Sequence, residues 1–206
     1  MIKQVKIAEL INLKLPLVLA SKSPRRKLLL EKLGFEFEII PSHIDEGKNE
    51  KIESPFNYVK ELSCKKAIAV ANELTNESIV IGADTVVVLD NKILNKPKSR
   101  EEAFTTLITL SNNTHRVLTG VSLVNSKTLQ CKSAVATTDV TFRKLSEKEI
   151  YAYIDTGSPF DKAGAYGIQD DFGSLFVSHI VGCYYNIVGL PLELFYSTLK
   201  DFIIEK

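Results

Sequence analysis

The chain is poor in cysteine, and its three cysteines show no pairing pattern. Cys64, Cys131 and Cys183 lie far apart and form no CxxC. That spacing argues against a zinc site or a disulfide framework and predicts three reduced thiols in a cytoplasmic protein. Net charge is lacking too: 26 Lys and Arg against 25 Asp and Glu leave +1. So nearly neutral a chain offers no general surface for a nucleic acid polymer or a membrane. Long apolar runs are missing. Glu9, Asn12 and Lys14 interrupt the opening stretch MIKQVKIAELINLKLPLVLAS, which leaves no clean secretory core. No run approaches the roughly 18 residues of a membrane span. Neither G-x-x-x-x-G-K-[ST] nor G-x-G-x-x-G occurs, so the chain carries neither a P-loop nor a dinucleotide fingerprint. No G-x-S-x-G marks a nucleophile.

What is present alternates. With 206 residues, 45% of them apolar, the chain can bury a sizeable core and reads as one domain over 1–206. LPLVLAS and FEFEII read as strands, and SPFNYVKELSCKKAIAVANEL as a helix. SIVIGADTVVVLDNKILNKP is β-rich and turns back at Asp90-Asn91. SREEAFTTLITLS and LSEKEIYAYIDTG read as helices opened by capping boxes, Ser99 with Glu102 and Ser146 with Glu149. Two longer strands run between His115 and Phe142, joined near Asn125–Thr128. A glycine-rich loop, strands around Leu175–Ile180 and Tyr184–Val188, and a closing helix in PLELFYSTLKDFI complete the chain. Strands and helices alternating early, with antiparallel pairs in the middle, predict an α/β fold on a mixed sheet.

Arg25 and Arg26 pose an electrostatic question. Ser23 reads as an N-cap and Pro24 as the first helical position, which puts two cations at the positive end of a helix dipole. They are either exposed side chains or, with Ser21 and the free N–H groups, part of an anion site. Asp84 sits in the β-branched run VIGADTVVVL. It is either a solvated turn residue beside Thr85 or a carboxylate at the end of a core strand, and the latter needs a metal or a lysine beside it. Lys66 falls on the apolar stripe of its helix with Val59, Leu62 and Val70, so it either snorkels or meets an anion; Lys65 suits an exposed pair with Glu61. Glu46 and Lys96 are ordinary loop residues when read alone. In DKAGAYGIQDD, Gly164 and Gly167 allow close backbone approach, and the amide of Gln169 can donate and accept at a base edge. His43, His115 and His179 show no ligand spacing and read as structural or surface residues.

Taken together, LASKSPRR, IDE at 44–46, KKA at 65–67, IGADTVVVL, NKP at 95–97, THRVLTGV, DKAGAYGIQ and NIVGLPLEL resemble the Maf family of nucleoside triphosphate pyrophosphatases. The resemblance implies an elongated mixed β-sheet flanked by helices, like that of inosine triphosphate pyrophosphatases, with two lobes around a central cleft, and a homodimer. It implies hydrolysis of a nucleoside triphosphate to the monophosphate and pyrophosphate with Mg²⁺ or Mn²⁺. Asp84 matches the family's proton acceptor, and Arg25, Thr85 and Gln169 match the markers of the branch acting on dTTP and UTP. On this reading Ser21, Arg25, Arg26, Lys66 and Lys96 bind the triphosphate, while Glu46 and Asp84 hold the metal. Two alternatives stand beside it: a nucleotide-binding regulator of cell division without obligatory turnover, and a pyrophosphatase for other modified nucleotides such as 7-methyl-GTP. One departure is local to the base-reading loop: IQDDFGS stands where the family commonly has Ile-Gln-Gly, which adds Asp170 and Asp171 after Gln169.

Overall fold

A computed structural model describes residues 7–44, 54–170 and 172–204. Its strands are β1 (Leu17–Leu19), β2 (Phe37–Ile39), β3 (Ile79–Leu89), β4 (Lys92–Leu94), β5 (Thr114–Asn125), β6 (Cys131–Phe142) and β7 (Val177–Val181). They form one sheet in the order β2-β1-β3-β5-β6-β7, with β4 folded back on β3. β1 runs parallel to β2 and β3, and the other pairs are antiparallel, so the predicted mixed sheet is present. The helices are α1 (Ile7–Leu10), α2 (Pro24–Lys32), α3 (Pro55–Ala71), α4 (Arg100–Leu110), α5 (Glu147–Asp155), α6 (Tyr184–Val188) and α7 (Leu192–Ile204). Short 3-10 turns span the loop between α5 and β7.

β3 reads as a continuous apolar run because both of its faces are covered. Its odd positions, Ile79, Ile81, Ala83 and Val87, join the main core with Phe142, Tyr153, Phe176, Phe195 and Phe202. Its even positions turn the other way: Val80 packs with Ala67 and Val70 of α3, and Val86 with Val59. Period-two alternation therefore puts Asp84 on the α3 face and Thr85 on the opposite one. α3 lies tightly on this face because Gly82 has no side chain; a Cβ there would overlap the Ser63 carbonyl and come within 2.9 Å of Ala67 Cβ.

Several local expectations change. Tyr184–Val188 is a short helix, not a strand. Its tyrosines and β-branched residues favour strand, but Gly189 ends it at φ 117°, and Asn186 Nδ2 donates to Val117 O and Thr138 Oγ1 at 2.9 Å each. Tertiary bonds outweigh propensity here. The capping box of α5 is complete, but at α4 only half of it forms: Ser99 Oγ accepts from Glu102 N, whereas Glu102 Oε2 accepts from Lys98 N. Cys64 on α3 and Cys131 on β6 face one another, with Cα atoms 6.8 Å apart, and Cys183 stands apart from them. α3 packs across β5 and β6, which brings together cysteines whose separation in sequence carries no sign of pairing. Among the described residues no helix is long and apolar enough to cross a membrane.

Candidate active site

The site begins at the first turn of α2. Ser23 takes the N-cap position, with Pro24 following, but its side chain makes no cap bond. Its own N–H donates to Ser21 Oγ at 3.2 Å. Arg26 then ties three segments together: Nε donates to Gly189 O at 2.9 Å, Nη1 to Ser21 Oγ at 3.1 Å and Nη2 to Thr85 Oγ1 at 3.1 Å. A planar guanidinium suits three separate acceptors in one plane better than an ammonium does. Thr85 Oγ1 also lies 2.9 Å from Thr119 Oγ1, which donates to Asn186 O.

Arg25 takes the other direction. Nη1 lies 2.7 Å from Asp161 Oδ2, and Nη2 reaches Asp161 O at 3.3 Å. The sequence left both arginines as exposed side chains or as part of an anion site; here Arg25 meets a protein carboxylate at the edge of the cleft. Burial favours the neutral acid of Asp161, but hydrogen bonds from Lys162 and Arg25 outweigh this and hold its carboxyl below the ordinary range.

Across the cleft, β3 supplies Asp84 and α3 supplies Lys66. Asp84 is 6% exposed and Lys66 7%, with Nζ 2.7 Å from Oδ1. Of the two readings of Asp84, the structure supports the buried carboxylate with a lysine beside it, since an isolated buried charge costs several kcal/mol. The helical phasing also holds: Lys65 is exposed and lies 3.9 Å from Glu61. Lys96 is exposed after β4, and Gln169 is exposed in the loop before β7, where its Nε2 donates to Asp170 Oδ1 at 3.3 Å.

Arg25, Arg26, Lys66, Asp84, Thr85, Lys96 and Gln169 all line one cleft. Ser21 lines an adjoining recess with Arg25, Arg26, Lys66 and Lys96. Glu46 and Asp171 lie outside the described residues. Among the described residues no three His, Cys, Asp or Glu side chains gather as a metal site. The cleft also has an apolar side, formed by Val87, Val117, Tyr166, Ile187 and Val188.

His115 is buried behind Tyr166, with Nε2 2.8 Å from the Tyr166 hydroxyl, and burial lowers its pKa to about 4. His43 and His179 are exposed. Asp161, Lys162 and Tyr166 line the cleft without having been singled out; the stretch DKAGAYG held all three, but only its glycines carried a local signal.

Residues 16–202 match the model of the Maf-like protein family. The chain is a Maf family member. Among Maf relatives, the dTTP/UTP pyrophosphatase of Thermoanaerobacter sp. (strain X514) is 49% identical over 184 residues, which cover 89% of this chain and 95% of that protein. The dTTP/UTP pyrophosphatase of Clostridium perfringens (strain SM101 / Type A) is 48% identical over 187 residues, covering 91% and 97%. A solved HAM1 protein from Coxiella burnetii aligns with a TM-score of 0.52 at 13% identity, over 91% of this chain and 100% of that one. That likeness is one of fold. It accords with the elongated mixed sheet flanked by helices that the Maf resemblance implied.

Proposed function

We propose that this chain cleaves nucleoside triphosphates between the α and β phosphates, releasing a monophosphate and pyrophosphate, with dTTP and UTP preferred. The observation that carries the reading is the Asp84 carboxylate, set in a cleft whose other charged groups include Arg25, Arg26, Lys66 and Lys96. A polyanion suits those cations and the first turn of α2. The close Maf relatives, named dTTP/UTP pyrophosphatases, support the same reading. Arg26, Lys96 and the Ser21 hydroxyl bind phosphate. Lys66 holds Asp84 in place, and Asp84 takes a proton from the attacking water. Gln169 and Arg25, on the lip that also carries Tyr166, meet the base.

The donor set fits Mg²⁺ or Mn²⁺. Such an ion takes one or two carboxylates and fills its remaining positions with water and substrate phosphates, so Asp84, with Glu46 as the second candidate, suffices without a protein cage. Bound there, the ion would offset charge developing on the leaving pyrophosphate.

The test is pyrophosphate release across UTP, dTTP, CTP, GTP and 7-methyl-GTP. Higher kcat/KM for UTP and dTTP than for 7-methyl-GTP is expected. An order led by 7-methyl-GTP overturns the substrate assignment, and binding without turnover on any nucleotide favours the regulator.

A further inference from the structure

The two residues assigned to the base are held by one chain of charges. Lys162 Nζ, on a residue only 8% exposed, lies 2.6 Å from Asp161 Oδ1 and 3.2 Å from Asp170 Oδ2, and it donates to Ser158 O at 2.7 Å. The remaining oxygen of each carboxylate holds a residue that lines the cleft. Asp161 Oδ2 holds Arg25, and Asp170 Oδ1 accepts from Gln169 Nε2. Asp170 Oδ2 is further fixed by the Tyr153 hydroxyl at 3.0 Å and Ser158 Oγ at 2.5 Å. Its pocket lies against Gly167, where a Cβ would come within 2.7 Å of both Asp170 Oδ2 and Lys162 Cε. Asp170 is thus built into the loop, although it stands where the Maf resemblance expects a glycine.

We propose that Asp170 is a specificity-positioning residue: it locks the Gln169 amide in one of its two orientations, and so selects uracil-type bases over cytosine. A side-chain amide turned by half a rotation exchanges its acceptor for its donor. A carboxylate only accepts, so it tolerates the NH₂ end of Gln169 and repels the carbonyl end. With Nε2 drawn to Asp170, Oε1 is left to accept from the base. The N3–H of uracil or thymine meets it as a donor. The N3 of cytosine is an acceptor and opposes it. Lys162 matters because it fixes the carboxylate that sets this polarity. The proposal rests on the reading of Gln169 as the residue that meets the base.

The test compares kcat/KM for UTP and CTP in wild type, Asp170→Asn, Asp170→Gly and Gln169→Ala. An asparagine can face Gln169 with either end, and a glycine with neither, so both release the lock. The UTP:CTP ratio is expected to fall about tenfold in both variants, through a gain with CTP. A merely structural role for Asp170 would lower both substrates together and leave the ratio where it was; that result overturns the proposal. The glycine variant decides the matter if the asparagine variant does not fold. Two further outcomes overturn it at different levels. Absence of hydrolysis by wild type removes the pyrophosphatase reading and the proposal with it. Hydrolysis with an unchanged ratio in Gln169→Ala removes the base-reading role alone.

Discussion

Lys66 Nζ lies 2.7 Å from Asp84 Oδ1, and each side chain keeps only 9% of its surface accessible. The pair follows from two periodicities meeting. Even positions of β3 face α3, and Lys66 shares its helix stripe with Val59, Leu62 and Val70. Gly82 lets the helix approach closely enough for the two charges to touch.

Asp84→Asn keeps the shape of this pair but removes the proton acceptor and its charge. The kcat is expected to fall by at least about 10²-fold, the scale of losing a positioned acid–base group. Steady-state kinetics on protein whose circular dichroism matches wild type checks this. Retention of more than about a tenth of wild-type turnover removes Asp84 from the proton-accepting role.

Adjacent lysines should behave differently. Lys66→Ala takes the ammonium from the buried Asp84, and breaking a buried pair costs about 3–5 kcal/mol, so both thermal stability and turnover should drop. Lys65→Ala loses only an exposed contact to Glu61 and should stay within about 0.5 kcal/mol of wild type. Thermal unfolding and kcat/KM of the two variants separate these outcomes; equal effects would mean that the burial of Lys66 has no energetic consequence.

The buried His115 gives a pH dependence. Its pKa is lowered from 6.5 to about 4 by burial, so between those values the unfolded chain binds a proton that the folded chain does not. Stability from this residue is therefore fully present above about pH 6.5 and is lost as pH falls toward 4. Thermal midpoints measured across that window should decline with falling pH in wild type and decline less steeply in His115→Gln. Equal slopes would assign the dependence to other groups.

Much of this was legible in the sequence, because the signals were periodic. The inward phase of Lys66, the turn at Asp90-Asn91 and the Ser146–Glu149 box depend on residues a few positions apart, and local spacing reports them. Contacts made across the fold left no such trace. Arg25 meets Asp161 from 136 positions away, and Cys64 meets Cys131 from 67. Tyr184–Val188 has a strand's composition, and its helical form comes from the bonds of Asn186 to β5 and β6. The role of Asp170 was hidden for the same reason: two consecutive acids in a loop read as solvated until Lys162, Tyr153 and Ser158 are seen around the first of them.

The central claim is the bond that breaks, and product analysis tests it most directly. Purified protein is incubated with UTP and Mg²⁺, and the products are separated by anion-exchange chromatography. UMP and pyrophosphate in equal amounts, with no UDP, is the predicted result. UDP and inorganic phosphate would place the cleavage at the terminal phosphate and contradict the account.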